Sequence, residues 1–119
     1  MLEQTLSVIH DNIAYNDLKE SCSEEDIKLV DDFVTIMADA LLSKSDTVRV
    51  GKEEKPRELV KSSLMKLDFF DMQDVLCRFK SYGEKIIKKQ AFILSMLYRQ
   101  PIEKNIWLTN QLHVDFGYM

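Results

Sequence analysis

The sequence predicts a mainly α-helical fold, one compact bundle of about five to six helices with a short β-hairpin near residues 47–56. Three observations carry this. The 119 residues hold only 3 Gly and 2 Pro, too few breakers for a many-turned sandwich or barrel. Apolar residues return at i, i+3 and i+4 in one segment after another. A single stretch, TVRV at Thr47 to Val50, alternates β-branched residues as a strand does, and Gly51 follows it.

Taken in order, LEQTLSVIHDNIAYNDLKE places Leu6, Ile9 and Ile13 at helical spacing. Asp11, Asn12, Asn16 and Asp17 loosen the pattern, so the reading is a short helix, a turn near Tyr15 to Asp17, and a further helical turn to Glu20. The clearest helix begins after Ser23, a capping residue followed by Glu24, Glu25 and Asp26, where the helix dipole favours negative charge. Its apolar stripe is Ile27, Val30, Val34, Met37, Ala38 and Leu41, widened by Phe33 and Leu42, with Lys44 expected in the last turn. After the hairpin, Pro56 suits the start of a helix that places Leu59, Val60, Leu64 and Leu67 on one side. Phe69, Met72, Val75, Leu76 and Phe79 define the next, which Gly83 should stop. A helix from Glu84 to Arg99 should end at Pro101, because the residue before a proline disfavours helix. A last helix turns Ile106, Leu108, Leu112 and Trp107 inward and ends near Gly117.

The totals narrow the function classes. One chain of 119 residues, 45% apolar and 30% charged, fits a single helical domain spanning residues 1–119. No apolar run approaches the roughly 20 residues a membrane span needs, and MLEQTLSVIHD, acidic and without a basic stretch before an apolar one, is not expected to be a secretory signal. Cys22 and Cys77 stand apart without a CxxC, and two reduced thiols in a cytoplasmic protein is the expectation. Residues 1–46 carry three lysines against eleven carboxylates, and residues 47–104 carry thirteen cations against eight. An acidic front and a basic middle suit an oriented partner better than nonspecific DNA coating; a mixed solvated surface is the plainer reading.

The motifs of catalysis do not occur. His10 and His113 sit in no metal-ligand spacing. There is no phosphate-binding GxxxxGK[ST] or GxGxxG and no GxSxG elbow. Acid pairs such as Glu24-Glu25, Asp31-Asp32 and Glu53-Glu54 are sequence neighbours, which a helix points about 100° apart, so they do not converge. The expectation is therefore no enzyme, no cofactor, no metal and no small-molecule substrate.

The basic residues say more. In EKIIKKQAFILSMLYRQP, Lys85, Lys88, Lys89, Phe92 and Met96 fall near one helical face, and AFILSMLY reads as core. The aromatics Phe69, Phe70, Phe79, Phe92 and Tyr98 read as core rather than as base-stacking platforms. Lys61, Lys66, Arg78 and Lys80 on the preceding helices are expected to join the lysine end. Such a cluster would neutralise a few phosphates or dock on an acidic partner. The candidate contact residues are Lys61, Lys66, Lys85, Lys88, Lys89 and Arg99.

Four stretches, VIHDNIAYNDL, SKSDTVRVGKEEKPRELVKSSLMKLD, KIIKKQAFILSMLYRQP and WLTNQLHVDFG, follow one another in a recognisable order. Together they resemble the C-terminal domain of the replication initiator A proteins of Gram-positive plasmids and conjugative elements. The matching positions are Asn12, Ile13 and Tyr15, then Thr47 to Val50, then Val60, Lys61, Ser62, Lys66 and Leu67. They continue with Ile87, Lys88, Leu94, Leu97, Tyr98 and Pro101, and end with Val114 and Asp115. Arg99-Gln100 stands where the pattern has Asn-Ala, and Leu108 beside Trp107 replaces an aromatic.

The resemblance implies a helical module related to the DnaD-like domains of replication-initiation proteins. In such initiators a separate winged-helix domain reads origin DNA, and the C-terminal module contacts replisome components such as primase. A winged-helix portion is not in these residues, so the expectation is the C-terminal module of a longer initiator or a stand-alone relative. Two functional expectations follow: a non-catalytic module that recruits a replication protein such as primase, or a weak DNA-binding domain using the lysines.

Overall fold

The computed structural model describes the backbone of residues 2–82 and 89–115, with side chains up to residue 82 and from 90 to 104. Among these residues the chain forms six helices and one two-stranded antiparallel hairpin. The helices are α1 (Leu2–Ile13), α2 (Tyr15–Ser21), α3 (Glu24–Leu41), α4 (Arg57–Leu64), α5 (Phe69–Tyr82) and α6 (Lys89–Asp115). The strands β1 (Thr47–Val50) and β2 (Glu53–Pro56) lie between α3 and α4.

The first break falls at Ala14 rather than near Tyr15 to Asp17. Ile13 and Leu18 are both fully buried, yet residues five apart point about 140° apart on an unbroken helix. Ala14 resolves this by adopting the left-handed conformation, φ 52° and ψ 58°, which re-aims α2. Tyr15 then starts α2 instead of lying in a turn. Its hydroxyl donates to the Asp31 carboxylate on α3 at 2.5 Å.

The helix α3 begins as its sequence requires. Ser23 sits in extended backbone and its Oγ accepts the Asp26 N–H at 3.2 Å, a cap worth about 1 kcal/mol. The helix closes at Leu41, so Lys44 lies beyond the last turn it was expected to complement. Phe33 is fully buried at the centre of the stripe and meets the edge of Phe79 with ring centroids 5.7 Å apart. Burying a phenyl group of this kind stabilises by about 2–3 kcal/mol. With neighbours on α1, α4, α5 and α6, α3 is the central helix of the bundle.

In the hairpin, Val50 pairs with Glu53 across Gly51 and Lys52. Gly51 takes φ +63°, the first-position glycine of a two-residue hairpin turn. Val48 and Val50 face the core while Thr47 and Arg49 face solvent. The Arg57 N–H donates to the Asp46 carbonyl at 2.8 Å and its guanidinium to the Ser43 carbonyl at 3.1 Å, which fixes the start of α4 against the segment leaving α3.

Two side-chain expectations and one helix end are corrected here. Leu59 is 49% exposed, because it lies about 100° round α4 from buried Val60. Phe70 is 72% exposed and only its neighbour Phe69 packs inward. The helix that was expected to stop at Pro101 runs through it to Asp115. A proline inside a helix leaves the carbonyl four residues back without its N–H and crowds the preceding turn. Here the freed carbonyl is that of Leu97; the turn is braced beside it, since Pro101 is buried and the neighbouring Tyr98 carbonyl accepts a hydrogen bond from Ser63 of α4. The expected helix start at Glu84, the stop at Gly83 and the inward side chains of Ile106, Trp107, Leu108 and Leu112 lie outside the described residues. Ile93, Leu94, Met96, Leu97 and Tyr98 are buried, with Ala91 and Phe92 partly so, as a core helix requires.

Candidate interaction surface

The outer side of α4 carries the two candidate lysines whose side chains are described most fully. Val60, Ser63 and Leu64 face the core, which leaves Lys61, Ser62 and Met65 on the opposite side, with Lys66 just past the helix end. On one flank, α4 borders a groove of about 360 Å³ lined by Gln4, Thr5 and Val8 of α1, Leu41 and Leu42 at the end of α3, and Lys61 and Met65. On the other flank, Leu59, Ser62 and Lys66 meet Pro101 and Ile102 of α6 around a smaller hollow of about 70 Å³. Large apolar side chains stay in solvent around these grooves: Val8 is 43% exposed, Leu59 49% and Met65 38%. Among the described residues neither Lys61 nor Lys66 pairs with a carboxylate.

The other candidate residues do not gather at this place. Arg99 is exposed on α6 near the hairpin, where its charge acts on both members of the Glu53–Lys55 ion pair, whose atoms are 2.8 Å apart. Arg78 and Lys80 do not join a lysine end: Arg78 pairs with Glu103 at 3.3 Å and Lys80 with Asp26 at 3.1 Å. Lys89 opens α6, with its side chain outside the described residues, and Lys85 and Lys88 lie outside them altogether. A larger cleft of about 820 Å³ lies between the end of α3, the hairpin and the start of α6, and its charged residues Asp39, Arg49 and Glu54 are of mixed sign.

A second polar feature sits where α5 meets α6. Asp68 precedes α5 and its Oδ1 accepts the Asp71 N–H at 2.9 Å, while the Asp68 N–H donates to Asp71 Oδ2 at 3.1 Å. This reciprocal pair is a capping box built from two aspartates. Asp71 is 1% exposed, and the Lys104 ammonium lies 3.2 Å and 3.3 Å from its two oxygens. The Gln100 side-chain amide, also buried, donates to Asp71 at 3.4 Å and to Asp74 at 3.2 Å. Burial by itself would raise the Asp68 carboxyl; the Asp71 N–H and the Lys104 charge outweigh it and hold that carboxyl below the ordinary range. Burial would likewise lower Lys104, but its hydrogen bond to Asp71 and both carboxylate charges hold it above the ordinary lysine value. The arrangement ties the start of α5 to the turn of α6 that follows Pro101.

Among the described residues no group of three or more His, Cys, Asp or Glu could hold a metal ion. Cys22 and Cys77 are separate free thiols. His10 stacks on Tyr15 with ring centroids 4.2 Å apart. No helix among the described residues is long and apolar enough to cross a membrane.

A model of a family of unknown function, DUF6017, matches residues 1–117. The chain belongs to the DUF6017 family. No curated protein and no solved structure matches it.

In this DUF6017 chain, sequence reasoning located the lysines of α4 but missed the grooves beside them. A groove depends on how α1, α3 and α4 meet, which spacing along one helix does not contain. The aspartate network was missed for a different reason. Its local half, Asp-x-x-Asp before an apolar run, is a capping pattern that sequence can supply. Its other half, Gln100 and Lys104, comes from beyond a proline at which the helix was expected to end.

Proposed function

We propose that this chain is a non-catalytic interaction module in the initiation of DNA replication on a plasmid or mobile element, and that it recruits a replisome component such as primase in the cytoplasm. The order of motifs shared with replication initiator A proteins supports the setting. The observation that carries the interaction reading is the outer side of α4, where Lys61 has no carboxylate partner among the described residues and stands beside an apolar groove of about 360 Å³. Exposed apolar side chains next to a groove are characteristic of surfaces that meet other proteins.

The second reading is weak direct DNA binding through lysines. The exposure of both Lys61 and Lys66 favours it. The ion pairs of Arg78 and Lys80 weaken it, since two cations expected to serve phosphates already have carboxylates.

An amide NMR titration of the whole chain with a primase fragment, and separately with short single-stranded and duplex DNA at two salt concentrations, tests both. Recruitment predicts saturable shifts with primase. DNA binding predicts salt-sensitive shifts on Lys61, Lys66 and Lys85 to Lys89, and a shallower salt slope after Lys88→Glu and Lys89→Glu. Silence at high DNA excess removes the second reading, and silence with every replication protein tried removes the first.

A further inference from the structure

We infer that the groove between α1 and α4 is the seat of an acidic amphipathic helix supplied by the partner. This rests on the interaction reading above and deepens it by naming the surface and the chemistry it selects. The floor is apolar: Val8, Leu41, Leu42 and Met65 line it. A groove of this kind takes the apolar face of a helix, anchored by side chains at i, i+3 or i+4 and i+7. Its single formally charged lining residue is Lys61.

The sign of that charge selects the partner. The chain carries 20 acidic against 16 basic side chains, yet among the described residues the linings of the grooves on both flanks of α4 contain no acid, only Lys61 on one and Lys66 on the other. The one acid nearby on α4, Glu58, lies at its first turn and pairs with Arg57 at 3.4 Å. A carboxylate on the incoming helix therefore meets the Lys61 ammonium, which has no carboxylate partner among the described residues. A lysine in its place meets repulsion, which discriminates against basic partners more strongly than the attraction gains affinity.

The test uses the whole chain and two synthetic 16-residue amphipathic peptides with identical leucines, the other positions being glutamate in one and lysine in the other. The glutamate peptide is expected to shift the amides of Val8, Leu42, Lys61 and Met65. Lys61→Glu should weaken it about fivefold, the span of an exposed ion pair. The same variant should bind the lysine peptide better than the native chain does, and a folding defect would not produce that gain. Equal binding of both peptides, shifts centred on another face, or shifts that grow with protein concentration alone overturn the inference. A primase fragment that binds the native chain and Lys61→Glu equally removes this groove and leaves recruitment standing. A glutamate helix seated in the groove, with every replication protein tried silent, does the reverse.

Discussion

The Ser63 hydroxyl donates a hydrogen bond of 2.6 Å to the Tyr98 carbonyl, joining α4 to the turn of α6 that leads into Pro101. Ser63 is only 5% exposed, so no bulk water stands ready to replace it. Ser63→Ala should lower unfolding stability by about 1 kcal/mol, the net contribution of a buried hydrogen bond. Urea unfolding followed by circular dichroism measures it. An unchanged midpoint would mean that the carbonyl is satisfied without Ser63.

Asp71 and Lys104 should behave unequally. Asp71→Ala removes half of the capping box and strands Lys104 and Gln100, at a cost of about 2–4 kcal/mol. The side chain of Lys104 is 40% exposed, so Lys104→Met should cost less, about 1 kcal/mol. Equal losses would show that the box itself contributes nothing.

The same network sets an acid limit. Because the Asp68 carboxyl is held below its ordinary value, its contribution is present above the unfolded value of about 3.9 and is lost as pH falls through the lower folded one. Lys104, held above its ordinary value, contributes fully below about pH 10.4 and loses that contribution as pH rises through its folded value. Thermal melts across pH should fall away at both ends, and Lys104→Met should flatten part of each limb. Superimposable limbs in the two proteins would sink this assignment.

Tyr15 should titrate late. The hydrogen bond to Asp31, then burial, then the Asp31 charge push its phenol up to about 12. Whatever stability the pair contributes is present below the unfolded value of about 10 and is lost as pH climbs through the folded one. In Asp31→Asn the late ultraviolet transition should move toward the ordinary tyrosine range. A transition that stays in place assigns the shift to something other than Asp31.

Ala14 holds a conformation that costs an ordinary L-residue about 1 kcal/mol. Ala14→Gly should therefore raise stability by about 0.5–1 kcal/mol, and Ala14→Val should lower it by more than that. A destabilised glycine variant would mean that the Ala14 methyl packs more favourably than its backbone strain costs.

Much of the fold was legible because it is written locally. Ser23 and the three acids after it announce α3, TVRV-Gly announces the hairpin, and the stripes of α3 and α5 name their own buried residues. What was illegible depends on distant partners. Pro101 stops a helix in isolation but not one whose preceding turn is braced by Ser63, thirty-five positions from Tyr98. Lys80 looks like a free cation until α5 is laid beside Asp26 of α3. Leu59 and Val60 are both large and apolar, and only the placement of α3 and α6 decides which of them stays in solvent. The surface lysines were legible as candidates; the apolar walls beside Lys61 and Lys66 were not, since three separate helices build them.

The strand β2 reads Glu-Glu-Lys-Pro and is paired on one side only. Its free edge is four residues long, carries three charges and ends in a residue without an N–H. An incoming strand finds too few hydrogen-bonding groups there to extend the sheet, and the charges oppose its approach. In concentrated solution this edge of the hairpin is thus protected against fibrous, edge-to-edge growth.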